Sequence, residues 1–64
     1  MWIRTQDKAE LIKTIDVWED GKIICANGGT ALGEYATKQR CFEVIDNLQS
    51  AIISGQIVFQ MPKM

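Results

Sequence analysis

Thr37 to Gly55 is the only segment of the chain with the periodicity of an amphipathic helix, so every other element has to be arranged to cover it. Thr37 offers a hydroxyl as N-cap to the free N–H groups of the first turn. Gly55 is the residue type that most readily takes the left-handed conformation closing a helix. Between them Cys41, Val44, Ile45, Leu48, Ala51 and Ile52 recur at helical spacing and share a face. Phe42 and Ile53 extend that face on one flank, giving an apolar arc of about 200° at ~100° per residue. A single covering sheet needs a narrower arc.

The material for covering it is strand-like. Met1–Thr5 alternates as a short strand does, and Gln6–Glu10 is a polar turn. From Leu11 to Trp18, one face carries Leu11, Ile15 and Val17 and the other Ile12, Thr14, Asp16 and Trp18, which predicts one continuous strand. Asp20-Gly21 between apolar runs marks a two-residue hairpin turn. Centred there, the turn sets Glu19 opposite Lys22, Trp18 opposite Ile23 and Val17 opposite Ile24, pairs that are mutually favourable. A second turn at Asn27–Thr30 leads to a strand over Ala31–Tyr35, whose register is weakly set around Gly33. After the helix, Ile57, Phe59 and Met61 alternate along a last strand that Pro62 ends. The expectation is one α+β domain over residues 1–64, in the order β-β-β-β-α-β. One amphipathic helix packs on a small antiparallel sheet, with the last strand beside the first.

At 64 residues the chain buries only about 60% of the surface its unfolded form exposes, so its core is marginal. Disulfides, a metal or a partner subunit usually supplement such a core. Two cysteines and no histidine cannot furnish a four-ligand zinc site, and allow one intrachain disulfide at most. No cofactor is expected, and association is the natural supplement. Seven basic and eight acidic residues give a net charge of −1 without a basic stripe, which argues against nucleic acid as a partner. No apolar run reaches the ~20 residues of a membrane span, and the N-terminus lacks the apolar core of a signal peptide. A cytoplasmic location is expected.

The apolar surplus is the candidate functional feature. With Val17 and Ile24 turned to the helix, Trp18 and Ile23 point away from it. Trp2 joins them, and Phe42 and Ile53 lie on the helix flank. These five residues are the candidate interface, either buried under loops and chain ends or used for association, most simply in a symmetric homodimer. Arg4, Lys38 and Arg40 are the candidate partners of a small anionic ligand or nucleotide at a subunit interface, the alternative reading. Two of these cations sit in the first helical turn, against the macrodipole. Arg4 beside Trp2 also offers a cation and a stacking surface, but without the basic surroundings nucleic acid requires.

Other chemistry is sparse. Cys25 and Cys41 fall in apolar patterns, where cysteine behaves as a small hydrophobe. Asn27-Gly28-Gly29-Thr30 joins two predicted strands with no Gly-Lys-Ser/Thr to follow, so it reads as a turn and not as a phosphate cradle. Without histidine the usual general base near neutral pH is missing, and the carboxylates form no paired motif. The chain is read as non-enzymatic.

Met1-Trp2-Ile3-Arg4 with Gln6-Asp7-Lys8, then Leu32-Gly33-Glu34-Tyr35-Ala36-Thr37 leading through Arg40 into the helix, and finally Val58-Phe59-Gln60-Met61-Pro62 form a recognisable pattern. It resembles a group of small uncharacterised proteins of Gram-positive bacteria and their phages, over most of the chain. The resemblance implies an accessory gene of mobile-element origin and carries no catalytic motif. Alanine is expected in that group where this chain has Cys41.

Overall fold

A computed structural model describes residues 1–64. Six short strands and one helix follow in the order β1 (Trp2–Arg4), β2 (Leu11–Lys13), β3 (Val17–Asp20), β4 (Ile23–Ala26), β5 (Thr30–Glu34), α1 (Lys38–Ile53) and β6 (Val58–Gln60). The α+β class stands, but the single antiparallel sheet does not. The strands form two three-stranded sheets, ordered β2-β1-β6 and β3-β4-β5. The last strand docks beside the first as expected, and in parallel, which makes the first sheet mixed.

The expected strand over Leu11–Trp18 is divided between the two sheets. Its alternation runs on unbroken, yet the chain turns at Thr14–Asp16 and Ile15 is left outside either ladder. The cause lies twelve residues downstream. The Asn27 side chain accepts from the Ile15 N–H at 2.8 Å and donates to the Lys13 carbonyl at 2.7 Å, while its own N–H donates to the Asp16 carboxylate at 3.0 Å. One amide side chain thus satisfies backbone groups that a continued strand would have paired. As a result Leu11 and Ile15 face water, and Ile12 and Val17 pack on the core.

The β3–β4 hairpin is present with its turn one residue later than expected. Gly21-Lys22 is the central pair, with Gly21 at φ +74°, and Asp20 stands opposite Ile23, Glu19 opposite Ile24, Trp18 opposite Cys25 and Val17 opposite Ala26. Positive φ at the first central residue alone is the type II′ pattern, which favours glycine there and leaves Asp20 outside the central pair. Glu19 accepts the Gly21 N–H at 2.9 Å, which favours this choice. The pairing has moved by two residues, an even number, so the faces are preserved. Ile24 and Ala26 are fully buried, and Trp18 and Ile23 lie on the opposite face.

Between β4 and β5 the register slips: Ile24 faces Gly33 and Cys25 faces Ala31, so Leu32 is the extra residue of a bulge. The bulge turns Leu32 into the core. Gly33 next to it permits a close approach, since a Cβ there would lie 3.0 Å from the Gln6 Cβ. Gln6 fills this space as a clasp between the sheets. Its side chain accepts from the Glu34 N–H at 2.8 Å and donates to the Glu34 and Lys63 carbonyls at 2.9 and 2.7 Å.

Both helix ends are those predicted. The Thr37 hydroxyl accepts from the Arg40 N–H at 3.0 Å. At the other end Gln56 N–H bonds to the Ala51 carbonyl and Gly55 N–H to that of Ile52, with Gly55 at φ +81°. That pair of bonds is a Schellman closure. The buried stripe is Cys41, Val44, Leu48 and Ala51, so the helix is rolled toward its Val44–Ala51 side. Ile45 is therefore only half-buried and Ile52 is exposed, in contrast to the expected stripe. One core joins Ile3, Ile24, Ala26, Leu32, Tyr35, Cys41, Val44, Leu48 and Met61. The segment after β6 closes it, with the Met61 N–H bonded to the Arg4 carbonyl and the Tyr35 hydroxyl donating to the Pro62 carbonyl at 2.8 Å.

Candidate functional site

All five predicted interface residues reach the surface, on different sides of the molecule. Trp18 and Ile23 share the outer face of the β3-β4-β5 sheet, where Trp18 stands opposite Cys25. Phe42 projects from the first half of α1 with the Lys38 ammonium 5.9 Å from its ring centre. Ile53 lies at the opposite end of α1, and Trp2 on the outer face of the mixed sheet between Lys13 and Val58. Thus the five do not form one patch.

Three further apolar side chains outside that predicted set are heavily exposed. Ile15 is 92% exposed, Ile57 76% and Ile52 55%. With the 39%-exposed Trp2 they surround Met1. A groove of about 420 Å³ runs between the corner at Ile15–Val17 and the Ile45–Leu48–Ile52 edge of α1. A second hollow of about 310 Å³, between Trp2, Ile52 and Ile57, continues it past Met1 and Ile52. Each element contributes for a local reason. The corner held by Asn27 pushes Ile15 outward, the roll of α1 uncovers Ile52, and Ile57 lies in the link between Gly55 and β6. Helical spacing had marked Ile52 as apolar, but its exposure depends on the roll of the helix. Strand alternation had placed Ile15 on the face of Val17, and the corner between β2 and β3 turns it outward instead.

The three candidate anion-binding cations are each held by a different partner. Arg4 donates to the Lys8 carbonyl at 3.1 Å. Lys38 pairs with Glu19 at 3.7 Å. Arg40 donates to the Met64 carbonyl at 2.8 and 3.0 Å and pairs with Glu43 at 3.3 Å. Glu19 and Glu43 supply the negative charge that the first turn of α1 lacks in its own sequence, which offsets the cost of cations at a helix N-terminus.

The remaining polar features are structural. Cys25 and Cys41 are free and buried, and burial, with Glu19 nearby, raises the Cys41 thiol above its ordinary value. A thiol so placed is a poor nucleophile. Asn27-Gly28-Gly29 is a three-residue hairpin loop between β4 and β5. In the β1–β2 turn the Asp7 carboxylate accepts from the Thr5 hydroxyl at 2.6 Å and the Ala9 N–H at 2.9 Å, and these bonds hold it below the usual carboxylate range. No group of three His, Cys, Asp or Glu side chains is placed to hold a metal ion. No helix is long and apolar enough to cross a membrane. A scan against protein-family models, a search of curated proteins and a search of solved structures each return no match.

Proposed function

We propose that this protein is a non-catalytic protein–protein interaction module of the cytoplasm that associates with copies of itself. The observation that supports this reading is the exposure of large apolar side chains around Met1, with Ile15 the most extreme. A fold this small has little core to spare, and a contiguous apolar surface of this kind is uncommon on proteins that remain alone. The chain's chemistry points the same way: Arg4, Lys38 and Arg40 are each engaged by groups of the chain itself, and both cysteines are buried. A phage or mobile-element origin belongs to the same proposal and rests on the sequence resemblance alone. The alternative, a small anionic ligand or nucleotide held by Arg4, Lys38 and Arg40, gains nothing from their separate partners.

Native mass spectrometry of the purified protein over a dilution series separates these readings. Self-association predicts a dimer or higher species without extra mass, declining as the protein is diluted. A monomer at every concentration contradicts it, and a bound small-molecule mass favours the alternative.

A further inference from the structure

We infer that the groove between α1 and the Ile15 corner is the contact surface of a two-fold homodimer, in which Ile15 of each copy enters the groove of the other. This rests on the self-association proposed above and adds where it occurs and what fills the groove. Three observations favour a second copy as the occupant. First, a two-fold contact sets a patch against itself, so any net charge in it meets its own sign. Asp16 is the one charged side chain lining the groove and the hollow beside it, and the chain as a whole has a net charge of only −1.

Second, the charges at the rim are complementary to each other. Lys13, opposite Trp2 in the ladder, and Asp16 lie two residues before and one residue after Ile15. Reversing the direction of this segment across a two-fold axis brings the Lys13 side of one copy toward the Asp16 side of the other. Third, the area suffices for an interface core. Trp2, Ile15, Ile52 and Ile57 expose on the order of 500 Å² of apolar surface, more than half of the ~800 Å² per partner of a standard interface. A knob beside a hollow on the same face is the shape such a contact needs: Ile15 protrudes at one wall, and Ile45 and Ile52 line the other.

The test is sedimentation velocity on Ile15→Glu, Ile57→Glu and Phe42→Glu beside the unaltered protein. All three positions are exposed, and circular dichroism checks that each variant keeps its fold. Ile15→Glu should raise the dimer dissociation constant by about a hundred-fold or more, and Ile57→Glu by about ten-fold, since each change removes a buried side chain from two symmetric places. Phe42→Glu, on the first half of α1, should leave the dissociation constant within about two-fold. If Ile15→Glu and Ile57→Glu associate as the unaltered protein does, the groove is not the contact, although self-association stands. An unaltered protein that stays monomeric throughout removes both proposals.

Discussion

Gln6 joins three separate parts of the chain through one side chain. Its amide pairs with both backbone groups of Glu34 and with the Lys63 carbonyl, tying the β1–β2 turn to the edge of β5 and to the segment after β6. Gln6→Ala should cost about 1–3 kcal/mol in urea unfolding, because each bond contributes about 1 kcal/mol net. Gln6→Glu should cost more at neutral pH, since a carboxylate oxygen would replace the donor that faces two carbonyls. Nothing local in the sequence marks this residue. A glutamine in a polar turn is ordinary, and its partners lie 28 and 57 residues away.

Tyr35 gives a second prediction at the same scale. Burial pushes its hydroxyl up to about 12, with Arg40 opposing the shift and Cys41 adding to it. A folded-state value above the unfolded value of ~10 means that the folded protein holds the proton more tightly. The stabilisation is therefore complete below about pH 10 and is lost as pH rises from there through about 12. Stability of the unaltered protein should fall through that window more steeply than that of Tyr35→Phe, when both are followed by urea unfolding. Equal slopes would show that Tyr35 ionises as freely in the folded state as in the unfolded one.

Among the elements, those defined by local chemistry were readable and those defined at a distance were not. The helix was readable at both ends because a threonine cap and a glycine closure act within five residues. The hairpin faces were readable because apolar alternation survives an even shift of register. The division of Leu11–Trp18 was not readable, because the residue that imposes it belongs to another turn. Asn27→Gly keeps the left-handed backbone seen at φ +54° while deleting the amide. It should lower stability by about 1–2 kcal/mol, for the loss of the bonds to Ile15 and Lys13. Asn27→Ala should cost more, because alanine disfavours that backbone conformation by ~1 kcal/mol. Urea unfolding of the two variants orders them, and equal stabilities would show that the left-handed conformation has no part in the corner.

For the whole molecule, the sequence disclosed that apolar surface is in excess but not where it gathers. Trp18, Ile23, Phe42 and Ile53 are exposed as the wheel and the strand faces indicate, yet Trp18 and Ile23 share a sheet face while Phe42 and Ile53 lie eleven residues apart on α1. The continuous patch is built from Ile15, Ile52 and Ile57, brought together by a corner, the roll of a helix and a linker. On the homodimer proposed above, folding and association of this 64-residue chain share one core. The melting temperature measured over a hundred-fold range of protein concentration tests that claim most directly. If a second copy covers the patch, the midpoint rises with concentration, by on the order of 5–10 °C over that range for a domain of this size. A midpoint that stays constant across the range would contradict it and leave the fold to stand by itself.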